Sequence, residues 1–232
     1  GLMIAGSYSG SESNNIEYIT IASQGNGIDF GDATETDQGE SALASSTRGV
    51  HATGNPSNKV MDYVEIATLG NAIDFGDRVI SLDEHGAVSS ATRGLFCGGG
   101  APSGTAPNSI MQLITIASKG DATDFGDLTE ARSSFGGGSN ATRGLFASGF
   151  DAPTNYNIID YIEIATAGNA IDFGDTLQTG IHNTGTACSQ TRALFAGGYL
   201  APSPSSNIIS YATISTTGNA ADFGDLTAAA SF

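Results

Sequence analysis

Asn157-Ile158-Ile159-Asp160-Tyr161-Ile162-Glu163-Ile164-Ala165-Thr166-Ala167-Gly168-Asn169-Ala170-Ile171-Asp172-Phe173-Gly174-Asp175 is one of five near-copies of the same run. The Asp-Phe-Gly-Asp tetrad ending each copy begins at Asp29, Asp74, Asp124, Asp172 and Asp222, so successive copies stand 45, 50, 48 and 50 residues apart. A second signature, Thr-Arg followed by Gly or Ala, begins at Thr47, Thr92, Thr142 and Thr191. Repetition at such a period decides architecture before any residue is read for chemistry.

Within the quoted copy, Ile159 and Tyr161 project to one side and Ile162 and Ile164 to the other. Apolar side chains on both faces describe a strand covered on both sides. A two-residue turn, Gly-Asn or Gly-Asp, precedes the last strand of every copy, and both residues tolerate the positive φ of hairpin turns. Working outward, Ser133–Gly138, Gly144–Gly149, Ile159–Ala165 and Ala170–Gly174 form four strand-length segments per unit. No helical periodicity competes with them. Four strands per unit of this length, with both faces buried, define stacked blades; a β-solenoid is the alternative. The expected fold is all-β: a five-bladed propeller of four-stranded antiparallel blades. It forms a single domain over residues 1–232, with units of approximately 1–48, 49–93, 94–143, 144–192 and 193–232.

The order Phe135-Gly136-Gly137-Gly138, then Gly144-Leu145-Phe146-Ala147-Ser148-Gly149, then a Tyr-bearing strand and a last strand, resembles kelch repeats. Gly98-Gly99 and Gly197-Gly198 supply the Gly-Gly, and Tyr18, Tyr63, Tyr161 and Tyr211 supply the Tyr. Phe30, Phe75, Phe125, Phe173 and Phe223 stand near the position of the kelch Trp, which this chain lacks. Runs such as Thr-Arg-Gly-Leu-Phe also resemble repeats in virion structural proteins of marine tailed bacteriophages.

Gly1–Tyr8 matches Ala193–Tyr199, so the chain opens on the second strand of a unit, without an initiator Met. That start points to processing or to excision from a longer polypeptide. The C-terminal run Leu226–Phe232 matches Leu128–Phe135 with one residue fewer. Pairing of this tail with the N-terminal blade would close the ring and remove an exposed sheet edge. An excerpt cut from a longer array is the rival expectation.

The net charge of −16, from 24 acidic and 8 basic residues, disfavours binding to nucleic acid and anionic membranes. No apolar run has the length of a membrane-spanning helix, so no membrane insertion is expected. Cys97 and Cys188 replace small residues of the repeat, and no Cys/His spacing of a metal site occurs. Neither a metal nor a cofactor is expected. The five tetrads come with neither a catalytic loop nor a phosphate cradle, and a ring of carboxylates holding Ca²⁺ is weighed against a structural role. In the structural role, the second Asp bonds turn amides, and the first pairs with the Arg that recurs at Arg48, Arg93, Arg143 and Arg192. His51, His85 and His182 occupy unrelated repeat positions, and Glu65 and Glu163 alternate with Thr20, Thr115 and Thr213 at one position. None of these composes a nucleophile with its base.

Variation concentrates in the loops after the second strand: 8–14, 55–58, 100–107, 150–156 and 199–206. They carry the aromatics Tyr8, Phe150, Tyr156 and Tyr199, the candidate ligand-binding residues, and the kelch resemblance puts them on one rim. The expected function is non-enzymatic. It is that of a structural or adhesive module of an extracellular assembly, such as a phage virion appendage or decoration protein. Its partners would be other subunits of that assembly or a cell-surface glycan. A glycan-binding propeller using the rim loops is the alternative.

Overall fold

The computed structural model describes residues 1–8, 11–37, 39–54, 58–100, 106–178, 181–200 and 205–231, without the side chains of residues 5, 7, 8, 11 and 37. Among these residues there is no helix, and five antiparallel sheets are arranged as a five-bladed propeller. The first sheet has three strands in the order Leu2–Tyr8, Ser11–Tyr18, Ile28–Asp37. The other four have four strands each. Their inner strands are Ser41–Ala44, Gly86–Ser89, Gly136–Ser139 and Gly185–Cys188. Arg48–Ala52, Arg93–Cys97, Arg143–Ala147 and Arg192–Ala196 follow as second strands. The third strands are Val60–Glu65, Ile110–Thr115, Ile158–Glu163 and Ser206–Thr213. The outer strands Ile73–Asp77, Thr123–Asp127, Ile171–Asp175 and Ala221–Ala230 carry the tetrads.

The two-faced strand explains the stacking. Ile159 and Phe173 pack against Ala212, Ile214 and Ala220 of the fifth blade, while Ile162, Ile164 and Ala170 meet Phe125 of the third. Phe75 meets Ile114, Ile116 and Ala122 in the same way, and Phe30 meets Val64. Phe30, Phe75, Phe125 and Phe173 are thus the wedges between their blades and the next, and full burial of such a ring is worth about 2–3 kcal/mol. In the first, second and fourth blades the wedge is braced edge-on by the Tyr of the neighbouring strand, as in Tyr161–Phe173 at 5.8 Å between ring centres, whereas the third blade has Leu113 at that position.

Backbone bonds repeat with the wedge. The N–H groups of Gly70, Gly120, Gly168 and Gly218 donate to the carbonyls of Phe30, Phe75, Phe125 and Phe173 at 2.7–2.8 Å. Two residues on, Ala72, Ala122, Ala170 and Ala220 donate to Asp32, Asp77, Asp127 and Asp175. The tetrad Gly must be bare for this approach: at Gly126 (φ +142°) a Cβ would sit 2.5 Å from the Gly168 carbonyl.

Among the described residues, four such joints form. The fifth, between the fifth and first blades, does not: Phe223 is 52% exposed, and Ile19 and Ile21 of the first blade are 38% and 81% exposed. The expected closure by the tail is also not found. The tail continues the outer strand of its own blade, where Ala230 pairs with Ser206. The physical reason lies in the connecting path. The N–H of Gly198 donates to Ala230 O at 2.7 Å, as Gly99 donates to Arg132 O and Gly149 to Ile181 O in the preceding blades. Inner strands begin four residues beyond that bonded carbonyl, at Gly136 after Arg132 and at Gly185 after Ile181. The stretch 226–231 is therefore connector and not inner strand; Phe232, the last residue of the matched run, lies outside the described residues.

Candidate functional site

The recurring charged residues serve the joints. Arg48 and Arg143 bond Glu65 and Glu163 of the adjacent strand at 2.7 and 2.6 Å through Nε. Their Nη1 atoms reach into the next blade: Arg48 donates to the Ile116 and Ala117 carbonyls, Arg143 to that of Ile214. Arg93, opposite Thr115, donates to the carbonyls of Ile164 and Ala165 and, among the described residues, bonds no carboxylate. The expected Arg–Asp pairing is corrected by this geometry, since the strand register sets Arg opposite Glu or Thr rather than the tetrad. The first tetrad Asp instead accepts the Gly N–H two residues on, seen at Asp124, Asp172 and Asp222 at 3.1 Å. The second Asp donates its own N–H to the next blade's turn, as Asp127 does to Asn169. Among the described residues, no three His, Cys, Asp or Glu side chains gather as a metal site.

Two buried carboxylates hold the connectors. Asp160 pairs with Arg132 at 2.9 Å, both side chains fully buried, and accepts from the Thr129 hydroxyl at 2.6 Å. Asp62 sits at the equivalent position, 3.1 Å from the His51 ring and 2.8 Å from the Thr34 N–H. Burial pushes the Asp62 carboxyl up, but the hydrogen bonds and charge of His51, with the Thr34 bonds, hold it below its usual value. His85 is held neutral by burial and then by Arg78 and His51, its pKa lowered well below the ordinary histidine range. These groups lie inside the stack, and nothing in the repeat pattern assigned a role to Asp62, Asp160, Arg78 or Arg132. Cys97 and Cys188 are both free thiols.

The rim between the fourth and fifth blades is different in kind. Phe150–Asp151 folds back on Thr154–Asn155 as a two-stranded ribbon, and Ile181–His182 pairs with Tyr199–Leu200. These two ribbons bring Phe150, His182 and Tyr199 into one stack: His182 lies 5.1 Å from the Phe150 ring and 5.2 Å from the Tyr199 ring. The His182 Nδ1 is 2.9 Å from Asn155 Oδ1. With the amide oxygen as acceptor, Nδ1 carries the proton and Nε2 remains an acceptor. Burial lowers the His182 pKa against the raising effect of Glu84, so the ring is neutral at pH 7. Tyr199 is 39% exposed. Tyr156 follows at the ribbon's base, its N–H on Gly149 O, and its phenol is pushed up by burial and then by Glu130 and Asp151.

Of the four aromatics singled out in the sequence, the structure brings Phe150 and Tyr199 to either side of one histidine. Tyr8 closes the strand Leu2–Tyr8, but its side chain lies outside the described residues, as do 55–57, 101–105 and 201–204 of the variable loops. His182, which the sequence marks only as a single-copy histidine, is the residue to which sequence reasoning gave no role. The available signal was its singularity, a ring where no other unit has one. The arrangement offers a stack of ring faces flanked by amide and carboxylate groups, suited to a planar or ring-shaped partner. Neither the protein-family models nor the curated proteins contain a match to this chain.

Proposed function

We propose that this protein is a non-enzymatic adhesive module, a rigid propeller whose rim platform Phe150–His182–Tyr199 docks a partner at the surface of an extracellular assembly. The observation that carries the reading is that stack, built from non-equivalent residues on two neighbouring loops. The sequence resemblances to kelch repeats and to phage virion repeats supply the assembly: a virion appendage or decoration protein, outside the cell.

Asn155, bonded to the His182 ring, and Glu84, whose charge acts on that ring, favour a second reading, in which the partner is a glycan. Aromatic faces stack on the apolar side of a sugar while amides and carboxylates bond its hydroxyls. The test is a glycan array followed by titration of the best ligand with the native chain, Phe150→Ala and Tyr199→Ala. Loss of binding by tenfold or more in both variants, with unchanged melting temperature, supports the rim. Binding that survives both substitutions excludes it.

A further inference from the structure

Two of the cations that overlie aromatic rings do so in a trio with a glutamate. Arg48 lies 4.6 Å over the Tyr63 ring with its Nε 2.7 Å from Glu65, and Arg143 lies 4.8 Å over Tyr161 with its Nε 2.6 Å from Glu163. Both trios stand at the end of the blades where the second strands begin. At the other end, the rim holds two parts of the same trio. Its rings are Phe150, His182 and the exposed Tyr199. Its carboxylate is Glu84, exposed on the connector that precedes Gly86–Ser89. Bonds to the next blade hold that carboxylate beside the rings. It accepts from Ser134 Oγ and, at 3.5 Å, from Ser133 Oγ, and Ser133 exchanges both backbone bonds with Phe150. The charge of Glu84 acts on the His182 ring, and those of Glu130 and Asp151 act on Tyr156.

The third part, the cation, is what the rim lacks. Arg48, Arg93, Arg143 and Arg192 begin the second strands at the far end, and Lys119 shares the Tyr63 ring with Arg48. Arg78 and Arg132 are buried, and Lys59 is held on the Val79 carbonyl at 2.7 Å. These are all eight basic residues of the chain. Among the described residues, none overlies Phe150, His182 or Tyr199. Resting on the reading of the rim as a docking platform, we infer that its partner is a polypeptide segment presenting an arginine, whose guanidinium lies against the ring stack and donates to Glu84. A planar guanidinium can stack on a ring and fork onto a carboxylate at once, whereas the ammonium of lysine is a strongly hydrated point charge. The neutral His182 adds no repulsion. The net charge of −16 favours encounter with a basic partner.

The test titrates the isotope-labelled whole chain with the peptide N-acetyl-Gly-Arg-Gly-amide and follows the ring signals of Phe150, His182 and Tyr199 by NMR. Saturable shifts at one peptide per chain are expected. The same peptide with neutral, nearly isosteric citrulline in place of arginine should bind at least about tenfold more weakly, the equivalent of one cation–ring contact with its charged hydrogen bond. Glu84→Gln, which keeps an acceptor for Ser134 and whose fold is checked by its melting temperature, should weaken the arginine peptide likewise. No saturable shift, equal affinity for the citrulline peptide, or undiminished binding to Glu84→Gln overturns the inference. Two outcomes separate it from the docking reading. A glycan ligand lost in Phe150→Ala and Tyr199→Ala, with no binding of the arginine peptide, leaves the platform standing and overturns the arginine partner. Arginine-peptide binding that persists undiminished in both variants puts the cation elsewhere and overturns the inference.

Discussion

Replacing Gly126 and Gly224 by Ala, each alone, separates the blade joint from the strand that carries it. Both glycines occupy the same repeat position with nearly the same backbone, φ +142° and +139°. Both substitutions therefore incur the same conformational strain, on the order of 1–3 kcal/mol. Only at Gly126 does the new Cβ strike the next blade, 2.5 Å from the carbon and oxygen of Gly168 and 2.9 Å from Asn169 N; at Gly224 nothing lies within 4 Å. Relief of that clash moves the turn away. It breaks the bonds from Gly168 N–H to Phe125 O, from Ala170 N–H to Asp127 O and from Asp127 N–H to Asn169. At about 1 kcal/mol each, Gly126→Ala should cost about 3 kcal/mol more than Gly224→Ala. For a chain of this size that is a further fall of roughly 6–12 °C in melting temperature. Scanning calorimetry of the two variants and the native chain measures it. Equal losses would refute the reasoning, because the fifth tetrad would then be engaged like the others.

Three further outcomes follow from the same contacts. Asp160→Asn leaves the buried Arg132 guanidinium without its counter-charge and should cost about 3–5 kcal/mol by urea denaturation; pairing it with Arg132→Met should recover part of the loss. Arg143→Met removes the Glu163 bond and the carbonyl bond into the fifth blade, for about 1–2 kcal/mol. Arg192→Met, whose guanidinium overlies Tyr211 at 4.6 Å and has no ion pair among the described residues, should cost under about 1 kcal/mol by the same assay. Because the folded His85 has a lowered pKa, the unfolded chain binds more protons below about pH 6.5, and stability falls as pH drops through that value. The slope approaches about 1.4 kcal/mol per pH unit for one proton. It should be shallower in His85→Phe. Below about pH 4 the depressed Asp62 carboxyl adds a second loss as it is protonated.

The architecture was legible because repetition averages out local ambiguity. Five copies of one two-faced strand allow few solutions, and the Gly-Asn turns mark where each hairpin closes. The wedge role of Phe173 was half visible: its place near the kelch Trp pointed to packing, but which blade it enters is a tertiary fact. The partner of Arg143 was misassigned because Glu163 and Asp172 are both within plausible reach in sequence, and only strand register decides between them. Asp62 and Asp160 passed unnoticed because Gln112 and Ser210 share their position, which reads as tolerance. In the fold, Asp62, Gln112 and Asp160 meet the need to anchor the incoming connector by different bonds. The rim was legible as a set of variable loops. That Phe150 and Tyr199 meet across His182 depends on two short ribbons with no periodic signature.

Amide hydrogen exchange at five equivalent glycines tests the interlocking of the blades most directly. Gly70, Gly120, Gly168 and Gly218 donate across the four joints, and Gly25 stands where the fifth joint would have its donor. Slow exchange at the first four and fast exchange at Gly25 is the predicted result. Protection of Gly25 equal to that of the others would contradict it, and so would fast exchange at all five.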